Sequence, residues 1–256
     1  MNRLSDRLQV IADRINKGET MADIGTDHGF LPVYLVENNI SPAAVMADVS
    51  GPSLEKGRRN AHMTVSDVSL LKRMDFRVGD GLQVLEDGEV DVVVIAGMGG
   101  KLIRDIMAAD YEHTCSFRKF ILQPRIGQGH LRKWMTDNGF VIINEAVAVE
   151  GAHIPEIITA LTPVNAGDHE GMQERHDLGR YDGDDIMWKL PPWITGADGP
   201  VEKLIDRNID MARTKLDNVK KARVRNFELE KKIIDEINYL KDLLKEREDV
   251  KGKRNR

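Results

Sequence analysis

Apolar residues recur along this chain with two different periods. Near the start, spacings of four, three and four positions predict an amphipathic helix that carries Leu4, Leu8, Ile11 and Ile15. Further along, strands are predicted at residues 21–24, 43–47, 76–78, 90–96, 119–122, 140–149 and 154–161. Helices are predicted between them at residues 30–37, 52–61, 102–109 and 129–138. This alternation predicts an α/β fold with a doubly wound sheet, whose last two strands form an antiparallel pair at one edge.

The pattern changes after residue 162. We predict a first domain at residues 1–162, an irregular and acidic linker or insertion at 163–200, and a helical segment at 201–256. The helical segment carries one apolar stripe formed by Val201, Ile205, Ile209, Ala212, Leu216 and Val219, and a second formed by Phe227, Ile233, Ile234, Ile237, Leu240 and Leu244. Two such helices can pack as an antiparallel, coiled-coil-like hairpin. One long helix is the alternative, because neither Gly nor Pro marks a bend.

Residues 21–32 read M-A-D-I-G-T-D-H-G-F-L-P, which is typical of a strand end, a glycine turn and a helix start. Gly25 and Gly29 allow the backbone to approach a ligand, because a residue without Cβ tolerates positive φ angles. Asp23 and Asp27 lie at the same mouth, where carboxylates repel polyphosphate and attract cations. The predicted ligand is therefore a nucleoside that carries positive charge, such as S-adenosylmethionine.

Three further apolar runs end in glycine or acidic residues. Asp48 ends the second run, 19 positions after Gly29, where a ribose-binding carboxylate is expected. The third run ends in G-D-G at 79–81 and the fourth in G-M-G-G at 97–100. Because ligands bind outside the carboxyl ends of parallel strands, these endings are expected to surround one crevice.

In this order and spacing, the motifs resemble those of the bacterial tRNA (adenine-N1)-methyltransferases that act on adenine 22 of tRNA. The resemblance rests on D-I-G-T-D-H-G-F-L-P at 23–32, A-D-V-S-G-P at 47–52, G-D-G-L at 79–82, A-G-M-G-G at 96–100 and L-Q-P at 122–124. It implies the seven-stranded, Rossmann-like sheet of class I methyltransferases, followed by a C-terminal helical hairpin.

The resemblance also implies which residues bind S-adenosylmethionine. Asp23, Gly25 and Gly29 would hold its methionine end. Asp48 would bind the ribose hydroxyls, and Asp80 and Gly81 would contact the adenine ring. Ala96 and Gly97 are two further expected cofactor contacts. The chain departs from the usual pattern in having Asp27 at the middle glycine of the loop, and Ile-Pro instead of an aromatic residue before Glu156.

The substrate base is expected to lie on the A-G-M-G-G segment. There Gly99 and Gly100 leave room for a flat ring, and Met98 offers a polarizable surface. Gln123, Pro124 and Arg125 follow the fifth strand and would contact the base edge or a phosphate. Four more cations are candidates for phosphate contacts along the same rim, namely Lys101, Arg104, Arg132 and Lys133.

Asp27 and His28 are the predicted catalytic pair. A carboxylate near N1 and N6 of adenine would stabilise the positive charge of the methylated base and could accept an N6 proton. His28 would orient that carboxylate or relay the proton. The alternative is that Asp27 only caps the helix that begins near Phe30.

Composition limits the class of protein. Cys115 is the only cysteine, which excludes a disulfide framework. No metal site is predicted, because His113 with Cys115, and His153 with Glu156, lack further ligands at suitable spacing. No apolar run approaches the roughly 20 residues of a membrane span, and no signal-peptide pattern is present. We therefore expect a cytoplasmic enzyme without a membrane partner, and a monomer in preference to a homo-oligomer.

Charge is divided unevenly along the chain. Residues 201–256 carry 17 Lys and Arg against 12 Asp and Glu, a balance of +5, so the total of −5 leaves −10 for residues 1–200. The basic segment would either grip a tRNA or serve as a packing or dimerisation element. Two other function classes stay open. One is an NAD-binding dehydrogenase, which the absence of G-x-G-x-x-G in the first loop disfavours, and the other is an RNA-binding protein without catalysis.

Overall fold

The computed structural model describes residues 3–167, 169–173 and 176–254. The outermost residues of the predicted first and last segments, 1–2 and 255–256, lie outside the described residues, as does Asp168 of the acidic run. Within the described part of the chain, no helix is long and apolar enough to cross a membrane.

Seven strands form one sheet in the order β3-β2-β1-β4-β5-β7-β6. They are β1 Met21–Ile24, β2 Ala44–Asp48, β3 Met74–Val78, β4 Val92–Met98, β5 Lys119–Pro124, β6 Val141–Val147 and β7 Glu156–Leu161. The first five run parallel, whereas β7 is antiparallel to both β5 and β6. The predicted α/β sheet with an antiparallel pair at its edge is therefore confirmed.

Helices cover both faces of the sheet. One face carries α1 Asp6–Ala12, α2 Phe30–Glu37 and α3 Gly51–Thr64, and the other carries α4 Gly100–Ala108, α5 Tyr111–Ser116 and α6 Gln128–Asp137. Alternate residues of β4 show the two layers, since Val92 and Val94 join the first core and Val93 and Ile95 the second. All four are fully buried, as expected for a strand in the middle of a parallel sheet.

Strand β4 is longer at its carboxyl end than the sequence predicts. It continues through Gly97 and Met98, with an irregularity in its pairing with β5 between Ala96 and Met98. Gly97 takes a φ of 78°, which a residue with a side chain rarely adopts. Most of the A-G-M-G-G segment is thus part of the sheet, and only Gly99 separates it from α4.

The predicted irregular segment contains two short helical turns. Helix α7 spans Ile186–Lys189, and a 3₁₀ helix spans Pro192–Gly196. Such short elements show no measurable period in the sequence, which is also why α5 was not predicted. Trp188 and Trp193 from these turns are buried in the core beside α6, with their rings 6.1 Å apart.

The C-terminal segment folds as a helical hairpin, and the alternative of one long helix is wrong. Helix α8 spans Val201–Lys221 and α9 spans Phe227–Arg254. Residues near the start of α8 pack with the end of α9 against the linker, while Ala212, Ile233 and Ile237 form a separate small core toward the bend. The coiled-coil character of this pair stays a prediction.

Two residues of the second predicted stripe are not in the hairpin core. Phe227 and Ile234 are exposed, whereas Leu243, which the pattern missed, is buried. Phe227 is the first residue of its helix and lies next to the bend, so no partner helix faces it. Its ring instead lies 5.0 Å from the guanidinium of Arg225.

A buried arginine holds the hairpin to the linker. The guanidinium of Arg247 donates to the carbonyl oxygens of Thr195, Ala197 and Gly199 at 2.8–3.0 Å. Its Nε also lies 3.2 Å from a carboxylate oxygen of Glu202. Because these carbonyls lie just before α8, one side chain near the end of α9 fixes the entry of the chain into the hairpin.

Candidate active site

A cleft of about 960 Å³ opens at the carboxyl ends of the parallel strands. Its walls come from the loop after β1, the ends of β4 and β5, the start of α6, the turn between β6 and β7, and part of α7 and α8. The cleft therefore lies between the sheet and the hairpin. This is the edge of the sheet at which the sequence predicts a crevice.

The glycine turn after β1 forms one wall of the cleft. Gly25 and Gly29 take φ values of 81° and 64°, which explains the requirement for glycine at both positions. Gly29 is the N-cap of α2, and no side chain caps this helix. The alternative role of Asp27 as a helix cap is therefore wrong, and the first N–H groups of α2 lack a side-chain acceptor.

The side chain of Asp27 is exposed and contacts two basic side chains. Its carboxylate lies 3.1 Å from Nε2 of His28 and 3.2 Å from Nζ of Lys56. The His28 ring stacks on Phe30, with ring centroids 5.2 Å apart. The predicted pair of Asp27 and His28 is therefore held together at the mouth of the cleft.

Asp23 lies deeper in the cleft than Asp27. Burial raises the pKa of its carboxyl group from 3.8 to about 6, and the nearby charge of Asp48 adds to that rise. The Thr26 hydroxyl and the Arg7 guanidinium oppose it. A cationic ligand beside Asp23 would therefore stabilise the ionised form of this carboxyl group.

Gln123 connects three elements at the end of β5. Its Oε1 accepts hydrogen bonds from Nη1 of Arg7 and from the backbone N–H of Gly97, both at 3.2 Å. Its Nε2 donates to the carbonyl oxygen of Pro124 at 3.0 Å. The side-chain oxygen of Gln123 therefore already has two donors, and one of the two hydrogens on Nε2 is bound to Pro124. A ligand can accept only the second hydrogen on Nε2.

The cleft brings together ten of the predicted site residues. They are Asp23, Gly25, Asp27, His28, Gly29, Ala96, Gly97, Gln123, Pro124 and Arg125. Six others do not line it: Asp48, Asp80, Gly81, Met98, Gly99 and Gly100.

The side chain of Met98 explains part of this division. Its methyl group lies so close to Gly25 that a Cβ at that position would collide with it. Asp48 lies near enough to Asp23 to influence its pKa, and its own carboxylate accepts the backbone N–H of Ser50 at 2.7 Å. Asp80 is exposed at the start of a 3₁₀ helix that spans Gly81–Val84. These three residues thus lie at the carboxyl ends of β2, β3 and β4, at the same edge of the sheet but outside the cleft lining.

One predicted rim cation is in the core. Arg132 is fully buried, so its predicted contact with a phosphate is wrong. Its guanidinium binds the carboxylates of Glu145 and Glu156, and Nη1 donates to the carbonyl oxygen of Lys189 at 2.9 Å. Glu145 also accepts the indole N–H of Trp193 at 2.8 Å. The sequence pattern of the helix gave no sign of this burial, because both glutamates come from other elements, β6 and β7.

The other predicted rim cations are at the surface. Arg104 pairs with Asp105, and Lys133 with Asp137, each within its own helix. Lys101 is exposed. No group of three or more possible metal ligands is found in the part of the chain that the structure describes.

Three basic cleft residues had no signal in the sequence. Arg7 reaches the cleft from the polar side of α1, where it also pairs with Glu150 at 3.2 Å. Lys189 and Arg207 come from α7 and α8. Such residues look like ordinary surface charges until the tertiary structure places their elements around the cleft.

Comparison with known proteins agrees with this geometry. A family model described as a methyltransferase domain matches residues 4–158. The tRNA (adenine(22)-N(1))-methyltransferase of Bacillus subtilis is 37% identical over 169 residues, which cover 66% of this chain and 67% of that protein.

Solved structures show the same architecture over nearly the whole chain. The B. subtilis m1A22 tRNA methyltransferase TrmK has a TM-score of 0.75 at 26% identity, and the match covers 94% of this chain and 99% of that one. TrmK of M. capricolum, solved with S-adenosyl-homocysteine, has a TM-score of 0.70 at 21% identity, with coverage of 96% and 99%. At that identity, the second likeness concerns the fold alone.

Proposed function

The chain belongs to the tRNA (adenine(22)-N1)-methyltransferase family, and we propose that it transfers the methyl group of S-adenosylmethionine to N1 of adenine 22 in tRNA. The observation that carries this proposal is the cleft, where a buried carboxylate lies beside a glycine turn at the carboxyl ends of the strands. A dehydrogenase is disfavoured, because Asp23 and Asp27 would face the pyrophosphate of NAD.

The cofactor would occupy the glycine turn and extend along the carboxyl ends of β2 and β3. Asp23 offers its carboxylate to the ammonium and sulfonium groups, and the uncapped start of α2 offers N–H groups to a carboxylate. The nucleoside would extend past Met98 toward Asp48 for the ribose and toward Asp80 and Gly81 for the adenine ring, with Ala96 and Gly97 between the two halves. Met98 must then move from its place over Gly25.

The target base would lie at the ends of β4 and β5. Open space for a ring lies beside Gly97, whereas the expectation that Gly100 leaves room for the base is wrong, because the backbone of Gly127 and Ile126 packs directly against it. The second amide hydrogen of Gln123 is available to the edge of the ring. Pro124 and Arg125 complete this side.

Little covalent chemistry is required of the protein. When bound, S-adenosylmethionine supplies an activated methyl group, so alignment with the N1 lone pair and exclusion of water supply most of the rate. Asp27 balances the positive charge that the ring acquires and can accept an N6 proton. His28, fixed by its stacking on Phe30, orients that carboxylate.

A radiolabelled methyl-transfer assay on unmodified tRNA, followed by mass analysis of the nucleosides, tests the proposed function. We expect label in 1-methyladenosine, and none in a tRNA whose adenine 22 is replaced. Retention of tRNA without any methyl incorporation would instead identify a non-catalytic RNA-binding protein. Binding of NAD in place of S-adenosylmethionine would favour a dehydrogenase.

The catalytic role of Asp27 has its own test. Asp27→Asn is expected to lower kcat by roughly 10²-fold or more while leaving the affinity for S-adenosylmethionine unchanged. Lys56→Gln is the matched control, because it removes a contact of the same carboxylate but not the carboxylate itself. An unchanged rate in Asp27→Asn would remove this residue from the mechanism.

The remaining partner assignments are part of the same proposal. The hairpin would contact the tRNA, and the enzyme would act as a monomer in the cytoplasm. Light scattering of the protein with and without tRNA tests whether the enzyme acts as a monomer, and the affinity for tRNA of a variant with altered hairpin charges tests the contact. A dimer that dissociates when the hairpin is altered would favour the alternative role of the hairpin in dimerisation.

A further inference from the structure

Most of the charges that line the cleft are already paired with a neighbour. Arg7 pairs with Glu150, and His130 pairs with Asp184 at 3.2 Å. Asp27 contacts His28 and Lys56, and Glu156 binds the buried Arg132. A ligand therefore gains little from these groups without first breaking an existing contact.

Three cations differ from the rest. Arg125, Lys189 and Arg207 are exposed and line the cleft, and none of them forms an ion pair within the described part of the chain. Arg207 makes only a long contact of 3.3 Å to the carbonyl oxygen of Ala152. Three cations that the protein does not neutralise thus line the same cleft as the buried carboxylate of Asp23.

The three cations come from separate elements that buried contacts hold in place. Arg125 follows β5, and its backbone N–H donates to the carbonyl oxygen of Met98 at 2.7 Å. The main chain of Lys189 is fixed by Arg132. Arg207 belongs to α8, and the segment just before this helix is fixed by three hydrogen bonds from Arg247 to backbone carbonyl oxygens. The positions of all three backbones are therefore set before any ligand binds.

The charge of these groups identifies the chemistry of the ligand. S-adenosylmethionine contains no phosphate and carries positive charge, so three unpaired cations would not serve the cofactor. An RNA strand presents one phosphodiester per nucleotide, and arginine and lysine are its usual partners. Arginine can bind a phosphate through two parallel hydrogen bonds.

We propose that Arg125, Lys189 and Arg207 form a phosphate clamp, which binds the RNA backbone beside the target adenine. This inference rests on the proposed function and adds to it a specific substrate-binding subsite. The clamp joins the sheet, the linker and the hairpin, so the strand is held only when all three are in place. It positions the substrate and takes no part in methyl transfer itself.

The salt dependence of tRNA binding tests the clamp. Each of Arg125→Gln, Lys189→Gln and Arg207→Gln is expected to lower the slope of log Kd against log salt by roughly 0.7 to 0.9 per lost phosphate contact. The triple variant should lose about two units of slope. Titration with S-adenosyl-homocysteine should give wild-type affinity, because none of the three is among the proposed cofactor contacts.

The matched control is Lys72→Gln. Lys72 is an exposed cation just before β3, at the opposite edge of the sheet. Its removal should leave the slope unchanged. The clamp is overturned when the triple variant keeps the wild-type slope, or when Lys72→Gln reduces it equally. Either result leaves the proposed function intact as long as the wild-type protein methylates tRNA, whereas loss of that activity refutes the function itself.

Discussion

Nη1 of Arg7 lies 3.2 Å from Oε1 of Gln123, so the first helix of the chain fixes an amide at the end of β5. The same guanidinium pairs with Glu150 in the turn between β6 and β7, and its charge lowers the pKa of Asp23. Arg7, which resembles an ordinary surface charge in the sequence, thus links α1 to the end of β5 and to the turn between β6 and β7.

Replacement of Arg7 should weaken cofactor binding more than it weakens the fold. Arg7→Ala removes a hydrogen bond to Gln123 and a positive charge near Asp23, so we expect about 1–2 kcal/mol less binding free energy for S-adenosyl-homocysteine. The pKa of Asp23 should also rise, which moves the pH dependence of binding upward. Calorimetric titrations between pH 5 and 8 measure both effects. Arg118→Ala, at an exposed position before β5, should change neither.

Asp23 is expected to reduce the stability of the ligand-free protein at neutral pH. Its pKa is 3.8 when unperturbed and about 6 in the folded protein, so the folded state holds a proton more tightly than the unfolded state. Stability therefore falls as pH rises from about 4 to above 6, by about 3 kcal/mol in total. Asp23→Asn should accordingly be more stable than the wild type at pH 7.5, but not at pH 4, and should lose affinity for S-adenosylmethionine. Thermal unfolding at the two pH values checks this, and equal or lower stability at pH 7.5 would contradict it.

The buried contacts of Arg132 should contribute strongly to stability. Arg132→Ala would leave the carboxylates of Glu145 and Glu156 buried without a cation, which costs about 3–5 kcal/mol. Burial already raises the pKa of Glu156, and loss of the arginine raises that pKa further, so the loss of stability should be smaller at pH 5.5 than at pH 8. Urea unfolding at both pH values measures it. Lys133→Ala, whose exposed pair with Asp137 is worth at most about 1 kcal/mol, is the neighbouring control.

Arg247 should determine how firmly the hairpin is attached. Arg247→Ala leaves three carbonyl oxygens of the linker without their donor, which we expect to cost about 2–4 kcal/mol. Limited proteolysis should then cut the chain near residues 195–200 sooner than in the wild type. Arg213→Ala, which removes an exposed contact with Asp210 in the same hairpin, should leave the cleavage rate unchanged. Equal cleavage of the two variants would show that Arg247 is not the anchor.

The sequence alone was sufficient for the fold and for the position of the glycine turn after β1. Strand residues with period two, helix residues with period 3.6, and glycines that require positive φ are local properties, so they identified the seven strands, α2 and the turn at Gly25 and Gly29. The apolar stripes likewise indicated both helices of the hairpin. Where the structure differs, as in α5, α7 and the extension of β4 to Met98, the elements are short or depend on pairing with a neighbouring strand.

Only the tertiary structure decided which charged side chains face the cleft. Arg132 and Lys133 are adjacent in one helix, yet the first is buried between two glutamates and the second is at the surface. Arg7 is separated from Lys189 and Arg207 by most of the chain, and the packing of α1, α7 and α8 around the sheet brings the three to one opening. The role of a charge depends on its partners and its burial, and both are set by long-range contacts that no local pattern encodes.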